Sequence, residues 1–142
     1  MRQGLTLPET VMVLAILGLT TGIATLRIAR FQDSLSVERE AQRIASAHRR
    51  GRMTAIVRGQ PAILSIGPDT MAIALAGASG TVWGSTGPSA SGVALAGPIR
   101  RMTFSPAGYG TGLSNASFRL SRGSAERTVV VSRLGRVRIT RP

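Results

Sequence analysis

The stretch Gly4-Leu5-Thr6-Leu7-Pro8-Glu9, continued by TVMVLAILGLTTGIATL at residues 10–26, decides how the rest of the chain is read. Between Glu9 and Arg27 lie 17 residues without a charge. At ~1.5 Å per residue, a helix of that length nearly spans a hydrocarbon core of roughly 30 Å. A secretory signal peptide fits poorly, because Thr20, Thr21, Thr25 and then arginines stand where a small-residue cleavage site belongs. Pro8 suits the first turn of a helix, where its missing N–H would have had no partner. Glu9 sets a carboxylate at the edge of the apolar run, where an ionised group needs either a partner or surrounding head groups. Gly18 and Gly22 have the small-xxx-small spacing that lets helices approach closely. Local loosening of the helix is the other outcome open to them, and the Thr20 and Thr21 hydroxyls can bond back to carbonyls in either case.

Downstream, no Pro or Gly other than Gly18 and Gly22 interrupts Glu9 to Arg50. From Leu35 to Val57, the residues Leu35, Ala41, Ile44, Ala45, Met53 and Ile56 fall near a 3.6-residue stripe, with Arg39, Arg43, Arg49, Arg50 and Arg52 between them. Residues 8–58 therefore read as one long helix, apolar all round first and amphipathic afterwards. Beyond Gly59-Gln60-Pro61 the pattern changes to short β-like runs, PAILSI, MAIAL, GVAL, IRRMTF, ASFRL, RTVVV and GRVRI, divided by Gly, Pro and Ser. They predict a small antiparallel sheet, so the fold class is α+β. The Gly-, Ser- and Pro-rich stretch 77–98 reads as a long mobile loop or a poorly formed hairpin.

Composition narrows the chemistry. The 142 residues suit one modest globular domain, and 18 Arg against six acids give a formal charge of +12. No Lys is present, so each cation is a planar fork able to hold phosphate or carboxylate through two hydrogen bonds. A GC-rich genome would give the same bias. The absence of Cys excludes a disulfide framework and thiolate metal sites, and the single His48 cannot build a triad or a zinc cluster. The acids Glu9, Asp33, Glu38, Glu40, Asp69 and Glu126 form no cluster for acid–base or Mg2+ chemistry. The sequence thus points away from an enzyme, with no catalytic residue, metal or cofactor implied. Residues 1–34 hold three Arg and two acids for +1, whereas residues 35–142 hold 15 Arg and four acids for +11.

Part of that charge gathers at the end of the chain. In a strand, Arg136 and Arg138 project from one face while Val137 and Ile139 point to the core, and Gly135 permits a tight turn. Arg133 before the turn and Arg141 after the strand complete a set of four guanidiniums able to follow a nucleic-acid backbone. Such contacts bind without reading sequence and weaken as salt rises. With Phe31, Trp83, Phe104, Tyr109 and Phe118 all outside the arginine segment, base stacking is not the source of affinity. Alternating Arg and Val is equally the pattern of a solvated edge strand guarded by charge against aggregation. Arg100-Arg101 and Arg49-Arg50-x-Arg52 carry the same two readings, and a helix face of arginines also suits anionic head groups or an acidic neighbour.

The order at the N-terminus, a short basic leader, Gly4, an apolar residue, Glu9 and an apolar helix, resembles the prepilin-peptidase site of type IV pilins and type II secretion pseudopilins. The resemblance implies cleavage between Gly4 and Leu5, N-methylation of Leu5, and packing of the helix in a filament core. It also supplies Glu9 with a partner, the α-amine of a neighbouring subunit's Leu5. Leu5 stands where such families usually have Phe. A second resemblance, to minor pseudopilins of the GspH/FimT family, rests on Phe104-Ser105-Pro106-Ala107-Gly108, on RTVVVSRLGRVRI at 127–139 and on AQRIASAHRRGRMTAIVRGQPAILSI at 41–66. In members associated with natural transformation the Gly-Arg-x-Arg ending is implicated in DNA binding, which maps onto Gly135, Arg136, Val137 and Arg138. The implied organisation is a leader at 1–4, a membrane and filament-core helix at 5–34, and a periplasmic or extracellular α+β domain at 35–142. The implied partners are other pilin or pseudopilin subunits, the prepilin peptidase, inner-membrane lipid and double-stranded DNA. The implied place is the bacterial inner membrane, single-pass, and then the filament at the cell surface. Two functions stay open: a minor pilin that binds DNA for uptake, and a minor pseudopilin that aids type II secretion without DNA. A nucleic-acid-binding protein tethered to the cytoplasmic face would account for the arginines but not for Gly4 to Glu9.

Overall fold

A computed structural model describes residues 6–112, 115–132 and 134–141, with residues 23–26 described by their backbone alone. One helix, α1, runs Leu7–Arg58, and two compact units divide the chain, Met1–Gln32 and Asp33–Pro142. In the first unit the helix is exposed along its apolar run, with Val11, Met12, Leu14, Leu17 and Leu19 each more than half accessible. That is the state of a helix whose burial must come from outside the chain. Its start is fixed locally, because the Glu9 carboxylate accepts a long hydrogen bond of 3.5 Å from the Thr6 amide, the reciprocal half of a capping box. It ends at Gly59, whose φ of +59° suits the residue just past a helix.

In the second unit, α1 buries Val37, Ala41, Ile44, His48, Gly51 and Ala55, a spacing of three and four that defines one face. This corrects the expected stripe. Ala41, Ile44 and Ala45 do face the core, but Leu35, Met53 and Ile56 are 38%, 58% and 43% exposed, and Glu40 and His48 lie inside in their place. The reason is closeness of approach: a methyl group on Gly51 would stand 2.9 Å from the Phe104 ring, so the helix meets the sheet through its small residues.

The strands form two antiparallel sheets where the sequence suggested one. The first contains β1 (Ala62–Ile66), β2 (Thr70–Leu75), β3 (Thr81–Thr86), β5 (Arg100–Phe104) and β6 (Gly110–Thr111), in the order β3-β2-β1-β5-β6. The second contains β4 (Ala94–Ala96), β7 (Ala116–Arg122), β8 (Ala125–Val131) and β9 (Val137–Thr140), in the order β4-β7-β8-β9. Alternate residues Ala62, Leu64 and Ile66 of one sheet and Phe118, Leu120, Val129 and Val131 of the other meet in a single core with the helix face.

The stretch 77–98 is structured. It contributes β3, a 3-10 turn at Pro88–Ser91 and β4. Its anchors are polar. Gly87 and Ser89 donate backbone bonds to the carbonyls of Asp69 and Pro68 at 2.7 and 2.9 Å, and Ser89 Oγ donates to Asp69 Oδ1 at 2.7 Å. From the other side, Arg122 Nη1 donates to the Ser91 carbonyl at 2.7 Å.

Candidate functional site

The second unit spends its acids on itself. Arg43 pairs with Glu40 at 2.8 Å, and Arg119 with Glu126, Arg122 with Asp33 and Arg127 with Glu38 each at 2.9 Å. Asp69 accepts from Ser89. Two of these pairs are interior fastenings: Arg127 is 8% exposed and also donates to the Glu126 carbonyl, while Glu40 is 2% exposed. Among the described residues no carboxylate pairs with Arg39, Arg49, Arg50, Arg52, Arg58, Arg100, Arg101, Arg136, Arg138 or Arg141. Arg50 lies over the Trp83 ring at 5.3 Å. The remaining positive field is therefore directed outward, which is what an anionic ligand requires.

The C-terminal arginines sit on a well-defined turn. The Gly135 amide donates to the Ser132 carbonyl and the Ser132 amide to the Arg136 carbonyl, both at 2.9 Å, and the Arg136 amide donates to Ser132 Oγ at 3.2 Å. With Gly135 at φ +76°, this is a short hairpin loop closed by a glycine bulge. The strand that follows, β9, is the edge of the second sheet and among the described residues pairs only with β8, Val130 opposite Arg138 and Val131 opposite Val137. Val137 and Ile139 pack on the core while Arg136, Arg138 and Arg141 are exposed. Arg133 lies outside the described residues. The turn and the strand thus bring Gly135, Arg136 and Arg138 together, with Val130 and not a carboxylate opposite Arg138 on β8.

Beneath this turn lies the second half of α1. His48 is 2% exposed and meets the Phe104 ring edge-on, centroids 5.0 Å apart. Burial, reinforced by the Arg52 and Arg49 guanidiniums, holds its pKa below the usual 6.5, so the imidazole is neutral at physiological pH. Its role is that of a core residue. Among the described residues no three His, Cys, Asp or Glu side chains are grouped as a metal site. Arg52, Gly108 and Gly110 border the same region, an association that residues so far apart in sequence could not announce.

In the first unit, α1 continues without a break through Gly18 and Gly22, and a methyl group at either would meet nothing within 4 Å. Thr20 and Thr21 bond back to the carbonyls of Ile16 and Leu17 at 2.7–3.0 Å, satisfied within an unbroken helix. Glu9 is exposed and holds its own helix start. Its place as third residue after the Thr6 cap was written in Thr6-Leu7-Pro8-Glu9 as a capping-box signature. Gly4 and Leu5 lie outside the described residues.

Comparison with known proteins agrees with this architecture. The family described as type II transport protein GspH matches residues 40–135. No curated protein matches the chain. Among solved structures, the crystal structure of the type IV minor pilin FimU from Pseudomonas aeruginosa (strain PAO1) is similar in fold, with a TM-score of 0.56 at 13% identity, covering 72% of this chain and 91% of that one. The family match begins at Glu40 and ends at Gly135, so neither the N-terminal motif nor Arg136 and Arg138 contributes to it.

Proposed function

The chain belongs to the GspH family of type II transport proteins, and from that premise we propose that it is a minor pilin of a DNA-uptake filament, held to duplex DNA by its C-terminal arginines. A pilin-like minor subunit assembles with other pilin or pseudopilin subunits, and the exposed apolar run of α1 is the part suited to membrane and filament core. Cleavage between Gly4 and Leu5 by the prepilin peptidase would free the Leu5 amine for methylation. It would also leave Glu9 near the new terminus, where the carboxylate can pair with a neighbour's Leu5 amine instead of its own Thr6 amide. Gly18 and Gly22 then let neighbouring helices approach. Residues 5–34 act as anchor and filament-core helix, and residues 35–142 as the domain on the periplasmic side and later at the cell surface.

The observation that carries the DNA assignment is the pairing pattern: every acid of the second unit is engaged, while Arg136, Arg138 and Arg141 stand exposed on an edge strand and turn. Arg136 stands just before β9 and Arg138 within it, two residues apart in sequence, and each carries a guanidinium fork that can take a phosphate. Binding of this kind is set by charge and not by base edges. The full chain in neutral detergent should bind duplex DNA with an affinity that falls steeply with salt, and Arg136→Ala/Arg138→Ala should weaken it and flatten the salt dependence. Undiminished binding by that double variant removes the assigned site. Mass spectrometry of the membrane-extracted protein checks the processing: loss of residues 1–4 and one added methyl group is the expected result.

The family's description favours a second reading, a type II secretion pseudopilin in which the same arginines meet acidic neighbours in the filament. A chain that supports secretion but binds no duplex at low salt decides for it.

A further inference from the structure

Two turns close on one helix residue. Gly108, in the turn ahead of β6, and Gly135, in the turn ahead of β9, both approach Arg52, Gly108 resting also on Ile56. A methyl group on Gly108 would stand 3.2 Å from Arg52 Nε, and one on Gly135 would stand 3.9 Å from Arg52 Nη1. Both glycines have positive φ, +81° and +76°, so each turn presents bare backbone to the guanidinium. Below it the crease is shut, a void of about 10 Å³ lined by His48, Phe104, Ser132 and the two glycines. The void has room for no more than about one water, and Arg52, one of its lining residues, is exposed.

Arg52 has five N–H donors and, among the described residues, no hydrogen bond or ion pair. Among the described residues, the titratable and charged side chains on the elements that meet there, His48 and Arg49 on α1, Tyr109 next to Gly108 and Arg136 next to Gly135, include no carboxylate. A guanidinium that only plugged a crease would be expected to bond the carbonyls beside it, since a planar fork held against backbone and left unbonded gains little from the site. An external anion with oxygens on its own face completes it.

We propose that Arg52 is part of the phosphate-binding surface, so that a nucleic-acid backbone held by Arg136 and Arg138 continues across the crease onto the helix. This rests on the DNA assignment above and adds its direction: the backbone leaves the edge strand β9 at the glycine turn and passes to α1, where Arg49 follows one helical turn before Arg52.

The test uses the full chain in neutral detergent with a short labelled duplex, titrated over a range of salt. Arg52→Gln should lower the affinity about tenfold at ~0.1 M salt and make the slope of log K against log salt shallower by about 0.9, the amount for one lost phosphate contact. Arg52→Lys, which keeps the charge, should keep the slope. Arg39→Gln also removes one charge but lies ~20 Å up the helix, and should leave the slope unchanged. Thermal unfolding of the same samples detects a purely structural role, which would lower stability without moving the slope. If the wild-type chain binds and loses affinity with Arg136→Gln/Arg138→Gln but not with Arg52→Gln, this inference falls while the DNA assignment stands. If Arg39→Gln matches Arg52→Gln, the effect is net charge alone and the inference falls too. A wild-type chain that binds no duplex overturns both.

Discussion

Ser91 Oγ donates a 2.7 Å hydrogen bond to Glu40 Oε1, joining the 3-10 turn after β3 to a carboxylate on the buried face of α1. Arg43 Nη1 donates to both Glu40 oxygens at 2.8 and 2.9 Å, and its Nη2 reaches Ser85 Oγ and the Thr86 carbonyl at 2.8 Å. A segment with few large apolar residues is thereby ordered by one satisfied polar network. Glu40→Ala should cost about 2–3 kcal/mol, below the range for a fully buried pair because Arg43 stays 35% exposed and can turn to water. Denaturant unfolding should show the lower midpoint, and proteolysis should begin within residues 84–92.

Gly51→Ala sets two effects against each other. Alanine favours the helix by about 1 kcal/mol, while the new methyl meets the Phe104 ring at 2.9 Å and overpacking costs about 1–3 kcal/mol. The contact should prevail and lower Tm. Pairing it with Phe104→Leu, which makes room, should recover part of the loss relative to Phe104→Leu alone; no recovery would show that the ring is not the obstacle.

The lowered pKa of His48 fixes a pH dependence. The folded state disfavours the protonated imidazole, so as pH falls through 6.5 the unfolded chain takes up the proton first. Stability should be level above about pH 7 and decline below 6.5 towards the depressed folded value, by at most about 1.4 kcal/mol per pH unit. His48→Gln should remove the slope between pH 5.5 and 7, a window in which ordinary carboxylates are already ionised at roughly pH 4 and above. An unchanged slope would place its origin elsewhere.

At Gly135 the requirement is conformational. With φ at +76° and ordinary contact distances around a new methyl, Gly135→Ala should cost about 1–2 kcal/mol through backbone strain alone. Gly135→Asn should cost less, because Asn tolerates that region. Equal losses, read from denaturant midpoints, would point to packing instead of strain.

How far the sequence carried depended on what holds each element. The long helix was legible because residues 8–58 lack breakers, and the strands from PAILSI to GRVRI because alternation marks a half-buried sheet. The α+β class and the GspH/FimT kinship followed from them. The face of the helix was not legible. Met53 and Ile56 have the hydrophobicity of core residues, yet Glu40, His48 and Gly51 hold the buried positions through a polar network, a ring contact and the lack of a side chain. Residues 77–98 were read as a loop for a similar reason. Hydroxyls of Ser85, Ser89 and Ser91 fasten them, and a serine looks the same in sequence whether it is fastened or free. At the arginine segment, the alternation of Arg136, Val137, Arg138 and Ile139 told which side chains face out. The presence of Arg52 beside the turn depends on the two glycine turns meeting the helix, which no local pattern records.

The internal use of every carboxylate in the second unit also bears on what can stand beside it. Two copies placed shoulder to shoulder would bring arginine against arginine, with no acid left on either to relieve the repulsion within a Debye length of ~10 Å. Such a domain is poorly suited to a homopolymer. Neighbours that bring carboxylates of their own would relieve that repulsion.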